Sequence, residues 1–168
     1  MKIRPERAED FSSVEQVIRL AFGTEGEVTL VNELRREPGF VAEHSLVAEE
    51  ETTGQVVGHI FFSPITIDQT PGLALAPLAV LPEFQKSGVG KQLVWRGLAE
   101  ARQQGHTLVV VVGHPAYYPK FGFVPARRFG LEVPFPVSDE AFMVCELTPG
   151  ALAGVSGMVH YAAPFGRL

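Results

Sequence analysis

Hydrophobic residues recur at helical spacing in three stretches of this chain. The apolar positions of residues 10–22 repeat every three or four residues, which predicts a first helix. A second helix is predicted over residues 28–36, where a Pro-Gly pair follows the pattern. The third and longest is predicted over residues 89–104, with Gly105 as its C-cap. Its buried stripe is predicted to comprise Val89, Leu93, Gly97, Leu98 and Ala101.

Apolar runs of other kinds predict the strands. Residues 51–54 form a polar turn between two such runs, which indicates a hairpin. Pro77 has no N–H to donate to a neighbouring strand, so its strand must be bulged, or lie at an edge, near that residue. The strands are predicted at residues 3–4, 45–49, 55–67, 73–80, 107–112, 123 onward, 141–147 and 158–161.

The order of these elements predicts a mixed α+β fold. Two helices come first, then strand hairpins, then a strand–helix–strand unit, and late strands complete the chain. This order favours a central, mostly antiparallel sheet with one parallel central pair, flanked by helices. The 168 residues are predicted to form a single domain.

The segment between the strand 73–80 and the third helix carries the strongest chemical signal. Gly88 and Gly90 let the backbone bend tightly and approach a ligand closely. The helix that follows directs its first free N–H groups, and the positive end of its dipole, into this loop. Such a place suits a phosphate or pyrophosphate, and Lys86 and Lys91 add positive charge beside it.

Two common nucleotide-binding motifs do not fit this segment. The phosphate loop of nucleotide hydrolases requires Ser or Thr after Gly-Lys, where Gln92 stands, and Gln85 occupies the place of its first glycine. The dinucleotide fingerprint requires a third glycine where Leu93 stands. The pattern that fits is Gln-x-x-Gly-x-Gly after Leu-Ala-Val-x-Pro. It resembles the pyrophosphate loop of the GNAT superfamily, the acetyl-CoA-dependent N-acyltransferases.

A second signature follows the strand 107–112. Residues 116–123 read Ala-Tyr-Tyr-Pro-Lys-Phe-Gly-Phe, which resembles the other conserved GNAT signature, a short helix that bears a tyrosine and ends in Gly-Phe. The two signatures occur in the family's order, with an amphipathic helix and an apolar strand between them. The resemblance covers about residues 1–147, and residues 148–168 form a C-terminal extension outside it.

The resemblance implies a GNAT-like sheet and acetyl-CoA as the cosubstrate, with no metal ion. Backbone groups of Leu78, Ala79 and Val80 would pair with the pantetheine arm as an added strand does. Backbone N–H groups of the loop would hold the pyrophosphate. The loop residues are Gln85, Lys86, Ser87, Gly88, Val89, Gly90 and Lys91.

The family's chemistry requires a proton donor for the departing thiolate and donors for an oxyanion. Tyr118 matches the tyrosine that protonates the coenzyme A thiolate in many members, and Tyr117 is its rival. The backbone N–H of Val80 would bind the oxyanion. The acceptor amine must also lose a proton, and the sequence leaves four bases open: Glu33, Glu83, His59 and His114.

His114 is the most attractive of these bases, because it follows the strand expected to border the acyl group. The family often has Asn or Asp near this place, so His114 departs from the family pattern. Since no base is assigned, a non-catalytic acyl-CoA-binding or regulatory module is the alternative to an N-acetyltransferase.

Composition limits which partners and which cellular compartment are expected. The net charge of −5 argues against nucleic acid and is compatible with a cationic acceptor. No apolar run reaches the length of a membrane span, and the sequence turns polar directly after Met1, so neither a membrane partner nor a signal peptide is predicted. The sole cysteine, Cys145, is predicted to be a buried structural thiol. These features predict a cytoplasmic enzyme, and a homodimer stays open.

Five phenylalanines are predicted to lie in the core rather than in an acceptor pocket. They are Phe61, Phe62, Phe129, Phe135 and Phe142.

Overall fold

The computed structural model describes residues 1–167. Three α-helices lie in this range: α1 (Phe11–Phe22), α2 (Gly26–Leu34) and α3 (Val89–Gln103). A 3₁₀ turn spans Tyr118–Phe121. The strands are β1 (Lys2–Pro5), β2 (Ser45–Glu49), β3 (Val56–Ile67), β4 (Thr70–Val80), β5 (Leu108–Val112), β6 (Val124–Pro125), β7 (Leu131–Glu132), β8 (Phe142–Glu146) and β9 (Gly157–His160).

Seven of the nine strands described lie side by side in one sheet, in the order β1-β2-β3-β4-β5-β8-β6, and β9 and β7 add at the end of β3. All neighbours in this order are antiparallel except β4 and β5, which are parallel and are connected through α3. This mostly antiparallel sheet with one parallel central pair confirms the predicted fold class. The parallel pair needs a crossover connection, which α3 supplies. None of the helices in residues 1–167 has an apolar stretch long enough to cross a bilayer.

α3 packs on one face of the sheet, and two glycines allow the close approach. A Cβ atom on Gly97 would lie 2.4 Å from the Phe62 ring, and a Cβ on Gly58 would lie 2.9 Å from a methyl group of Leu93. His59 follows Gly58 in β3, so its side chain points to the opposite face. On that face α1 contacts β3 and β4.

The strand that carries Pro77 is bulged, as its missing N–H predicts. Ile60 of β3 pairs with Leu78, but Phe62 pairs with Leu75, so the register shifts opposite Ala76 and Pro77. β4 begins at Thr70, three residues before the predicted start at residue 73, because the first residues of β4 pair with the end of β3 across a tighter turn.

The prediction that five phenylalanines lie in the core is wrong for two of them. Phe61, Phe62 and Phe142 are buried, whereas Phe129 and Phe135 are 41% and 40% exposed. Apolar character alone does not decide burial. Phe129 ends a 3₁₀ turn at the surface, and the half-exposed ring of Phe135 lies against the ring of Tyr161 in the C-terminal segment.

The C-terminal extension joins the same sheet. β9 pairs with the end of β3, where His160 lies opposite Thr66, and with β7 in parallel. The predicted strand over residues 158–161 is confirmed with a shift of one residue. Cys145 is buried in β8, and burial raises the pKa of its thiol, as expected for a structural cysteine.

Candidate functional site

The two parallel central strands separate from each other along their length. β4 and β5 pair only at Leu73–Val109 and Ala74–Val110. β4 continues to Val80, still paired on its other side with β3, but its edge toward β5 has no neighbouring strand beyond Ala74. An extended ligand can therefore add to this edge by main-chain hydrogen bonds.

A tight loop connects the end of β4 to α3, and we call its residues 85–91 the glycine loop. The side-chain amide of Gln85 donates to the carbonyl oxygen of Val80 at 3.0 Å, which holds the loop against the strand end. Lys86 and Gly88 both have positive φ, at 63° and 90°. The first intrahelical bond of α3 is donated by the N–H of Gln92 to Gly88 at 3.1 Å, so the N–H groups before it have no intrahelical acceptor.

The gap between the strands and this loop open into one cavity of about 670 Å³. Side chains from β4, the glycine loop, the 3₁₀ turn and the C-terminal end of α1 line it. The residues are Ala21, Phe22, Leu78, Val80, Gln85, Lys86, Gly88, Gly90, Lys91, His114, Tyr117, Tyr118 and Lys120.

The cavity wall is cationic. Lys86, Lys91 and Lys120 line it, and within residues 1–167 none of the three forms an ion pair. No carboxylate lines the cavity in this part of the chain. Three unneutralised ammonium groups beside a helix N-terminus favour a ligand with several negative charges, although the whole chain carries a net charge of −5.

Tyr118 lies deep in this site. Its side chain is 8% exposed and packs on Gly113, where a Cβ atom would lie 2.4 Å from the tyrosine ring. Burial, and to a lesser degree the neighbouring Tyr117, raise the pKa of Tyr118 well above its usual value. The phenol is protonated at neutral pH, as an unperturbed tyrosine also is, and the raised pKa makes it a weaker acid than an exposed tyrosine.

Tyr117 lies nearer the glycine loop and is half-buried. A Cβ atom on Gly90 would lie 2.8 Å from the Tyr117 Oη, so the hydroxyl rests against the first turn of α3. The Lys120 Nζ lies 4.1 Å from the centroid of the Tyr117 ring. Burial raises the pKa of Tyr117 as well.

The four candidate bases differ in whether they line the cavity. Among the residues described, His114 is the one imidazole that lines the cavity, and it is exposed. Glu83 lines a neighbouring groove beside α1, and Glu33 lies on α2, outside the cavity lining.

His59 is completely buried on the far side of β3, where its Nε2 lies 2.9 Å from the Ser45 Oγ. Burial lowers the pKa of His59 to about 3, with a smaller contribution from the charge of Arg35. His59 is thus an unsuitable base, because it has no access to the cavity.

Most of the residues predicted to bind the cofactor line the cavity, and three do not. Ala79 is buried between its neighbours because side chains alternate along β4, and Val89 is buried beneath α3. The Ser87 Oγ donates to the carbonyl oxygen of Phe84. All three were predicted to act through backbone groups, which the burial of a side chain does not prevent.

Three residues of the cavity wall are absent from the sequence prediction. Lys120 lies inside the second signature, and its charge beside two tyrosines is a signal that could have identified it. Ala21 and Phe22 lie at the end of α1, and no local pattern connects them to the glycine loop, because only the packing of α1 on the sheet brings them there.

The sequence is similar to known acetyltransferases. The profile of the family described as "Acetyltransferase (GNAT) domain" matches residues 41–125. The uncharacterised N-acetyltransferase YhbS of Escherichia coli K12 is 36% identical over 169 residues, which cover 99% of each chain.

Solved structures are similar over nearly the whole chain. A crystal structure of Escherichia coli YhbS in complex with CoA has a TM-score of 0.93 at 34% identity, and the match covers 99% of this chain and 92% of that one. A GNAT family acetyltransferase from Brucella melitensis in complex with acetyl-CoA has a TM-score of 0.80 at 33% identity, covering 98% and 97%.

Proposed function

Because this chain belongs to the GNAT family of acetyltransferases, we propose that it transfers an acetyl group from acetyl-CoA to the primary amine of an acceptor molecule. The observation that carries this proposal is the cavity that joins the unpaired edge of β4, the glycine loop and the buried Tyr118. Relatives that share the fold over nearly the whole chain have been crystallised with CoA and with acetyl-CoA.

Acetyl-CoA would bind in two parts of this cavity. The pantetheine arm would add to the free edge of β4 at Leu78–Val80, and the pyrophosphate would accept hydrogen bonds from the N–H groups of residues 85–91. Lys86 and Gly88 both have positive φ, and left-handed residues in a turn are a feature of backbone loops that bind anions through their N–H groups.

The transfer then needs one new bond, one broken bond and two proton transfers. The amine nitrogen attacks the thioester carbon, and the N–H of Val80 stabilises the oxyanion. The C–S bond breaks as Tyr118 gives its phenolic proton to the thiolate. His114, the imidazole at the cavity, accepts the proton that the amine loses, and both groups recover their starting state by exchange with water.

A thiol-release assay tests this function. The purified protein is incubated with acetyl-CoA and separate panels of small amines, aminoglycoside-like compounds, amino acids and peptides, and free CoA thiol is followed with time. Acceptor-dependent release of thiol is the expected result. Tight binding of acetyl-CoA without release for any panel would instead support a non-catalytic acyl-CoA-binding module.

A further inference from the structure

An exposed tryptophan lies beside the cationic end of the cavity. Trp95 is on α3, one turn beyond Lys91 and on the same side of the helix, and it is 48% exposed. Its indole packs edge-on against Phe121, with ring centroids 5.2 Å apart. An exposed indole next to a cationic cavity offers a stacking surface for a planar aromatic ligand.

A lysine lies in the same aromatic group. The Lys120 Nζ is 5.6 Å from the centroid of Phe121, the ring on which Trp95 packs, and 4.1 Å from that of Tyr117. Phe121 is only 3% exposed, so Trp95 and Lys120 contact one buried ring, while Tyr117 and Lys120 line the cavity. We call Trp95, Phe121, Tyr117 and Lys120 together the tryptophan patch.

The covalent structure of CoA indicates which part of the molecule would contact this patch. CoA is a linear molecule with the pantetheine on one side of its pyrophosphate and the adenosine 3′-phosphate on the other. If the pantetheine follows β4 inward from residues 85–91, the adenosine must leave the loop in the opposite direction. If Lys86 and Lys91 flank the pyrophosphate, Lys120 is the remaining lysine among the described residues that line the cavity, and it is available for the third phosphate.

We propose that the tryptophan patch binds the adenosine 3′-phosphate end of acetyl-CoA, with the adenine stacked on Trp95 and the 3′-phosphate paired with Lys120. This inference rests on the proposed function. It adds residues that select CoA over dephospho-CoA and phosphopantetheine. Stacking on an exposed indole suits a purine, and an ammonium group beside it suits the phosphate.

Trp95 is the only tryptophan in the chain, so its fluorescence reports on this contact without any substitution. Calorimetry first establishes the affinities of CoA, dephospho-CoA and phosphopantetheine. Emission is then recorded at saturation, with excitation where adenine does not absorb. We expect CoA and dephospho-CoA to quench Trp95, and phosphopantetheine to bind without quenching. Binding of CoA with unchanged emission, or equal quenching by all three, would overturn the inference.

Substitutions separate the two contacts. Trp95→Ala should weaken CoA about 5- to 150-fold, the range for loss of a base-stacking aromatic, and leave phosphopantetheine unchanged. Trp95→Phe keeps a ring and should recover part of this loss. Equal weakening of both ligands by Trp95→Ala would mean that Trp95 only supports Phe121, and would refute the proposal.

Lys120→Ala should weaken CoA about fivefold and leave dephospho-CoA unchanged. The matched control is Arg96→Ala, which removes a neighbouring positive charge that is already bonded to Glu100 and to the carbonyl of Ile3. It should not change the preference for CoA over dephospho-CoA, and an equal effect of the two variants would refute the phosphate contact. Failure of CoA and phosphopantetheine alike to bind the wild type would overturn the proposed function itself.

Discussion

Tyr117 and Tyr118 are neighbours in the chain, but their environments differ. Tyr118 packs against the backbone of Gly113 inside the core, whereas Tyr117 is half-buried with its hydroxyl against the first turn of α3. Both line the same cavity. Because Tyr118 is the more deeply buried of the two, we propose its hydroxyl, rather than that of Tyr117, as the proton donor to the thiolate.

Tyr118→Phe keeps the ring and its packing but removes the acidic proton. We expect turnover to fall about 10²- to 10⁴-fold with the affinity for acetyl-CoA nearly unchanged, the usual effect of removing a general acid. Steady-state kinetics with any accepted amine, together with calorimetric titration of acetyl-CoA, measures both quantities.

Tyr117→Phe is the internal control, since it removes the neighbouring hydroxyl from the same cavity, and kcat should change little. Near-normal turnover in Tyr118→Phe would show that water or another group protonates the thiolate. A large loss in Tyr117→Phe alone would transfer the role to that residue.

At the scale of elements, the two ends of α3 differ in their surroundings. Gly88 and Gly105 flank the helix, both with φ of 90°, and a Cβ on either would meet nothing within 4 Å. A residue with a side chain would therefore be strained to a similar degree at position 88 and at position 105. Only Gly88 borders the cavity.

Gly88→Val should block the approach of the pyrophosphate to the N–H groups of α3, because the new side chain would project into the open space above the loop. Calorimetry should show acetyl-CoA affinity lowered at least about tenfold. Gly105→Val should show a comparable loss of thermal stability with unchanged affinity. Unchanged affinity in a folded Gly88→Val protein would refute the assignment of this loop.

A buried polar network connects the first strand, the second helix and the middle of the sheet. Arg35 follows α2 and forms an ion pair with Glu6, just after β1, and the two side chains are only 8% and 2% exposed. The Ser45 Oγ donates to the same carboxylate at 2.9 Å. The Arg35 guanidinium also lies 4.1 Å above the Phe11 ring of α1.

Arg35→Ala should lower the free energy of unfolding by about 3–5 kcal/mol, because it leaves the Glu6 carboxylate buried without its counter-charge. Chemical denaturation measures the loss. Arg19→Ala removes an exposed pair with Glu25 and serves as the control, with almost no change in the denaturation midpoint expected. Similar effects of the two changes would contradict the importance of burial.

For the whole molecule, buried histidines make stability depend on pH. His44 is 3% exposed, and within residues 1–167 neither of its ring nitrogens has a hydrogen-bond partner. Burial, and then the ring of His106 at 4.9 Å, lower the pKa of His44. Burial lowers the pKa of His59 to about 3.

The direction of the effect follows from proton uptake. Below a pH of about 6.5 the unfolded chain binds more protons at these histidines than the folded protein does. The contribution of these histidines to the free energy of unfolding is therefore fully present above this pH. It decreases as the pH falls, by up to about 1.4 kcal/mol per pH unit for each such histidine. The pKa of Asp10, lowered by its bond to Arg4, contributes only at more acidic pH, near and below its unfolded value of about 3.9.

His44→Phe replaces this ring with one that does not titrate. The melting temperature near neutral pH should be unchanged or higher, because two unpartnered nitrogens are removed from the interior. The decrease in melting temperature between about pH 7.5 and about pH 5 should be smaller than in the wild type. An equal decrease in both proteins would exclude His44 from the pH response.

Much of the fold is predictable because it depends on local patterns. The strands at 45–49 and 107–112 and the helix that begins at Val89 follow from hydrophobic periodicity and turn residues, and the structure places them within one residue of these bounds. The family could likewise be identified from two short signatures, which the profile match confirms. Phe129 and Phe135 show the limit of this approach, because residue type does not specify which side of a turn faces solvent.

The sequence by itself determined the order of the elements and the position of the glycine loop, since periodicity, glycine and proline act over a few residues. Only the tertiary structure decided that β4 and β5 separate after Ala74, that His114 rather than His59 reaches the cavity, and that Trp95 and Lys120 both contact the Phe121 ring. These features depend on sheet register and on helices packing across it. Contacts between residues far apart in the chain set both, and no local pattern records them.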